Sequence, residues 1–170
     1  MTLVIVSFGL LGLAGLQTRL QISEMESYQR SQALLLLNDM ANRIATNRAN
    51  AANYVTTAAS PLGAGMICPT TTADIVQRDV SEWCNAVQGS GETETSDGSK
   101  VGAMIGGRGC VESVGGNFLV TVAWQGLTPL SAPPSAVACG ANSYDTGGSS
   151  CVNDLCRRTV TTLVRIANLS

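Results

Sequence analysis

Apolar side chains fill the chain from Met1 to Leu16, where Leu, Val, Ile and Phe dominate and no charged residue occurs. From Leu16 to Ser60 there is neither Gly nor Pro, and Ala33, Leu37, Met40, Ile44 and Ala51 recur at helical spacing. The two stretches join without a break, so the pattern predicts one helix from Met1 to about Tyr54, apolar over residues 1–16 and continuing as an amphipathic segment over residues 17–60. Such a helix is roughly 80 Å long at 1.5 Å per residue, several times the depth of a small globular core. Its first part, residues 1–16, is therefore expected to lie in another medium, a membrane or a helical bundle. Sixteen apolar residues fall slightly short of the about 20 that cross a bilayer. A cleaved signal peptide would open with a basic region, and none precedes the apolar run.

Gly9, Gly12 and Gly15 recur at every third position of that run. They leave a narrow face without side chains along which a neighbouring helix can approach, and each lowers helix stability by about 1 kcal/mol relative to alanine. The spacing is not the strict G-x-x-x-G of helix dimers. The plainer alternative is small residues tolerated in a membrane span.

The remaining chain, residues 61–170, reads as one head. Ser60-Pro61 and the glycines of PLGAG make a connection, and Cys68-Pro69 leads into a second helix for which Thr71 or Thr72 is the expected cap. Ala73, Val76, Val80, Trp83, Cys84 and Val87 fall on one side of it, with Gln77, Arg78, Asp79 and Glu82 largely elsewhere, giving about four half-buried turns. Strand patterns follow at Cys110 to Val114 and Asn117 to Gln125, separated by Gly115-Gly116, a strong hairpin signal. In the second of these, Phe118, Val120, Val122 and Trp124 alternate with Leu119, Thr121, Ala123 and Gln125. A third alternation runs from Val160 to Ile166. The expected fold is α+β, a long N-terminal helix packed with a second short helix on one face of a small antiparallel sheet.

Composition narrows the function. Ten basic residues stand against twelve acidic ones, the basic residues form no cluster, and the rings are two Phe, two Trp and three Tyr. A nucleic-acid groove needs a dense positive field and stacking rings, so nucleic acid is excluded as a partner. Histidine is absent, which removes the commonest general base near neutral pH and the commonest zinc ligand. The six cysteines, Cys68, Cys84, Cys110, Cys139, Cys151 and Cys156, contain no C-x-x-C, and Cys151 to Cys156 is too wide for a zinc knuckle. An even count in the non-helical half indicates disulfides formed in an oxidising compartment. Six cysteines allow 15 full pairings; the pairing expected here is Cys68 with Cys84, Cys139 with Cys156, and Cys110 with Cys151. Three of the six lie in the 31-residue Gly-, Ser- and Pro-rich loop from Gly126 to Cys156.

Other candidate chemistry is weak. Glu92, Glu94 and Asp97 in GSGETETSDGSK, residues 89–100, lack the glycine and closing carboxylate of a calcium loop. GRGCVE, residues 107–112, imitates a dinucleotide fingerprint and fails at Glu112, where the third glycine should stand. Ser96 and Ser99 lie near Lys100, but the apolar surroundings that a Ser-Lys pair needs are missing from this loop. No cofactor, metal or small-molecule substrate is expected.

TLVIVSFGLLGLAGLQ, followed by RSQALLLLNDMANRIATNRANAANY, resembles the N-terminal helix of type IV pilins, most closely the minor-pilin group known as PilV or type IV pilus modification protein. The resemblance extends to VSEWCNAV, FLVTVAWQG and CRRTVTTLVRI, and so covers most of the chain. The family's basic leader ending in Gly, then Phe and a nearby Glu, has no counterpart here, and the alignment puts Met1 several residues inside the mature helix. The resemblance implies a pilin-like fold and a structural, non-enzymatic subunit of a type IV pilus (a fimbrium). It further implies roles in priming assembly and in the tip complex, with links to cell adhesion and twitching motility. Its partners would be other minor pilins and the major pilin. It would sit in the inner membrane with a periplasmic head before assembly, and in the extracellular pilus afterwards. A minor pseudopilin of a type II secretion system is the near alternative. A membrane-anchored exported enzyme or receptor domain is the remoter one.

Overall fold

The computed structural model describes residues 2–89, 91, 100, 102 and 104–166. Helix α1, Thr2–Thr46, runs for 45 residues, or about 68 Å. A short 3₁₀ helix, Arg48–Tyr54, follows, then β1, Leu62–Gly63, α2, Ile75–Val87, β2, Arg108–Val114, β3, Asn117–Gln125, and β4, Arg157–Val164. The strands form one antiparallel sheet in the order β1-β2-β3-β4. The α+β architecture expected from the sequence is present.

The predicted stripe on α1 is the docked face. Ala33, Leu37, Met40 and Ile44, with Ala51 on the 3₁₀ helix that follows, are all buried, against Val111, Val120, Val122 and Trp124 of the sheet and Trp83, Cys84 and Val87 of α2. The helix nevertheless ends at Thr46, not near Tyr54. Thr46 Oγ1 turns back onto the carbonyls of Asn42 (2.9 Å) and Arg43 (3.0 Å), and Asn47, with φ −106° and ψ 42°, leaves the helical region. Asn47, Asn50 and Asn53 then follow every third residue. Short amides of this kind compete for backbone hydrogen bonds and weaken an α-helix without any Gly or Pro. Beyond Tyr54 the chain crosses to the sheet, where Thr56 N–H donates to the Val111 carbonyl at 2.8 Å, so residues 55–60, expected to belong to the amphipathic helix, are not helical.

Asp74, not Thr71 or Thr72, caps α2. Its carboxylate accepts from Gln77 N–H at 2.8 Å, while the Gln77 side-chain oxygen accepts from Ala73 N–H at 3.2 Å, a reciprocal arrangement close to a capping box. Ala73 therefore precedes the helix and is exposed. In the β2–β3 hairpin, Val114 faces Asn117 across two glycines with φ of 57° and 79°. That is the double positive φ of a type I′ turn.

The sheet is covered on both faces at its centre, where one buried face was expected. Thr121 and Ala123 lie on the face of β3 away from the helices, yet both are fully buried because the loop between β3 and β4 folds back over them. Arg157, itself buried, ties that loop down. It pairs with Asp154 at 3.0 Å and donates to the carbonyls of Val137 (2.6 Å) and Cys139 (3.1 Å).

All six cysteines are paired, as Cys68–Cys84, Cys110–Cys139 and Cys151–Cys156. The first bond is the one expected; the other two replace the expected Cys139–Cys156 and Cys110–Cys151 pairs. Cys110 stands opposite Thr121 on the loop-covered face, and Cys139 descends onto that spot. Asn153 and Asp154, both at positive φ, turn the chain sharply enough to bring Cys151 within 5.2 Å of Cys156, Cα to Cα, inside the range a disulfide spans.

Candidate functional site

The end of α1 opposite the head is left uncovered. Leu10, Leu11, Leu13, Leu16 and Leu20 are each more than half exposed, and every residue from Gly9 to Gln21 is exposed. Among the described residues no apolar partner covers them. The head takes hold only at Ile22 and Glu26. The Glu26 carboxylate accepts from Leu127 N–H at 3.1 Å and lies 3.5 Å from the Arg158 guanidinium, which itself donates to the Thr128 carbonyl at 2.6 Å. Glu26 precedes Gln29 and Ala33 by one and two turns, on the docked stripe. That periodicity marks it as a head contact, a reading the apolar residues alone did not give.

Along the free end, apart from adjacent residues and the helix's own backbone, no atom of the described residues lies within 4 Å of the place a Cβ would take on Gly9, Gly12 or Gly15. Successive glycines three apart are rotated by about 60° around the axis, so together they trace an inclined furrow between leucine ridges. The segment 1–16 was expected to be the membrane or assembly part. Among the described residues no helix is long and apolar enough to cross a membrane; Gln17, Thr18 and Arg19 close the apolar run after Leu16. Among the described residues, the expected membrane segment thus falls short of a full transmembrane helix.

Where α1 meets α2, Arg43 holds three carboxylates. Its Nη1 lies 2.7 Å from Asp79 and 2.8 Å from Glu82, and its Nε 3.1 Å from Asp39. Burial works against the charge of Arg43, but the bonds to Glu82, Asp39 and Asp79 outweigh it and raise the pKa. The Tyr54 hydroxyl donates to Asp79 and accepts from Asn47 at 3.0 Å; burial, then the bond to Asp79, raises its pKa above 10.0. These contacts fix the helix pair; of the groups named, Asn47 also lines an open cavity of about 320 Å³ with Asn50, Asn53, Asp74, Ile75 and Val76.

The other sequence candidates come apart. Ser96 and Ser99 lie outside the described residues, as do Glu92, Glu94 and Asp97. Lys100 donates to the side chains of Asn85 (2.6 Å) and Gln88 (2.8 Å) on the end of α2. GRGCVE runs into β2 and forms no turn before a helix. Among the described residues no group of three His, Cys, Asp or Glu side chains is placed to hold a metal. Comparison with protein-family models, with curated proteins and with solved structures finds no match to this chain.

Proposed function

We propose that this chain is a minor pilin, a structural, non-enzymatic subunit of a type IV pilus that takes part in priming assembly and in the tip complex. The observation that carries the reading is the free end of α1, apolar on all sides, furrowed by glycines and continuous with a stripe docked on a disulfide-bonded head. Leucines left in water from Leu10 to Leu20 cost about 25 cal/mol per Å² of apolar surface. A bilayer, and later the helices of neighbouring pilins, removes that cost. The stretch from Thr2 to Leu16 is about 22 Å long, short of the about 30 Å hydrocarbon core; before assembly its apolar surface would be held in the inner membrane, with the head in the periplasm. Other minor pilins and the major pilin are the partners that receive the same end in the filament.

Fractionation of cells producing a tagged chain tests this. The subunit should be in the inner membrane and in sheared surface filaments, and its loss should reduce pilus number. Recovery with a type II secretion complex would favour the pseudopilin alternative. Recovery in neither assembly would overturn the reading.

A further inference from the structure

The five ion pairs among the described residues use Arg43, Arg157 and Arg158; Arg108, at the start of β2, has none. Its guanidinium is nevertheless held in one orientation. It lies over the Tyr144 ring, 4.9 Å from the centroid, and Nη1 donates to the Gly106 carbonyl at 3.1 Å. Tyr144 is buried and fixed in turn, its hydroxyl donating to the same carbonyl at 3.0 Å. Gly65 and Gly106 flank the guanidinium, and a Cβ on either would stand 3.7 Å from Nη2 or 3.6 Å from Nη1. Absence of those side chains leaves its edge open to solvent.

That edge faces a cleft of about 430 Å³ lined by Ser60, Pro61, Met66, Arg108 and Ser143, within the range of small-ligand sites. The walls come from distant parts of the chain, the turn around β1 on one side and the β3–β4 loop on the other. Cys110–Cys139, two residues from Arg108, bonds that loop to β2 and sets the spacing of the walls.

We propose that the Arg108 cleft binds a small carboxylate. A planar guanidinium whose outer N–H groups have no acceptor among the described residues matches a carboxylate in a fork geometry. Ser60 and Ser143 add hydroxyl donors, and Pro61 and Met66 offer apolar surface to the body of the ligand. One fixed cation suits a monoanion better than the two charges of a phosphate. The site lies on the head and is independent of the role of α1.

Titration of the isotope-labelled whole chain in detergent micelles tests the site by following the amides of Gly65, Gly106 and Ser143. The probes are glucuronate, butyrate, the uncharged methyl ester of glucuronate, and inorganic phosphate. Saturable shifts are expected with a carboxylate and none with the ester; a stronger response to glucuronate identifies a sugar acid, and a stronger one to butyrate an aliphatic acid. Arg108→Gln should weaken binding about tenfold or more, and Arg108→Lys severalfold, because lysine keeps the charge and loses the fork. Ser60→Ala with Ser143→Ala should weaken it by about two- to tenfold per hydroxyl with the disulfides unchanged, which keeps the test valid if Arg108 variants misfold. No saturable shift with either acid, binding that these variants leave unchanged, or an equal response to phosphate would overturn the proposal.

Discussion

The Trp83 indole N–H donates to the backbone carbonyl of Leu36 at 2.8 Å, across the junction of α2 and α1. On its other side the same ring lies on Gly109 of β2, where a Cβ would come within 2.2 Å of it. One fully buried side chain thus joins both helices to the sheet, and glycine at 109 is what lets the ring approach the strand.

Enlarging that glycine tests the junction. Gly109→Ala forces either the strand or the indole to move, and overpacking of this kind costs about 1–3 kcal/mol. Trp83→Phe loses the pyrrole ring and the bond to Leu36, so a cavity cost adds to about 1 kcal/mol for the bond. Denaturant unfolding should show both variants less stable than the parent; an unchanged midpoint for Gly109→Ala would show that the ring is not held against the strand.

Replacing Gly9, Gly12 and Gly15 together with alanine should leave the head unchanged, since all three side-chain positions are open. The free end itself should gain about 3 kcal/mol of helix stability if the effects add. Incorporation into sheared filaments should fall, because the furrow is filled and the helix can no longer loosen where neighbours crowd it. Normal abundance in filaments would mean that the glycines are only tolerated.

Peptide mapping of the unreduced protein should recover Cys68–Cys84, Cys110–Cys139 and Cys151–Cys156 and no mixed pairs. Removing Cys110–Cys139, which spans 29 residues, should cost about 2–4 kcal/mol, more than removing Cys151–Cys156, which spans 5. Thermal melting of the two double-serine variants gives the order directly.

Stability should decline above pH 10. Burial raises the pKa of Tyr144 above 10.0, and burial followed by the bond to Asp79 raises that of Tyr54. Between the unfolded and folded values the unfolded state has released a proton that the folded state keeps, so rising pH favours unfolding. The contribution is complete below about pH 10 and is lost as pH climbs through the folded values. Tyr54→Phe with Tyr144→Phe should flatten the alkaline limb of a stability profile; an unchanged slope would assign it to other groups.

What the sequence determined by itself is whatever repeats with a period. Leu37, Met40 and Ile44 could only be a helix face, Asn117 to Gln125 could only alternate as a strand, and Gly115-Gly116 closed the hairpin before it. Periodicity also implied an exposed apolar end, because a helix so much longer than its core must leave part of itself uncovered. The pairing of Cys110 with Cys139 carried no such mark, since it depends on a loop folding over the second face of β3, and distance along the chain does not encode distance in space. Arg108 shares that limit: only the folded chain brings Tyr144 under its guanidinium and Ser60 and Ser143 beside it. The end of α1 at Thr46 lies between the two cases. Asparagine side chains weakened the helix locally, but it was the crossing of Thr56 to Val111 on β2 that drew the following residues out of it.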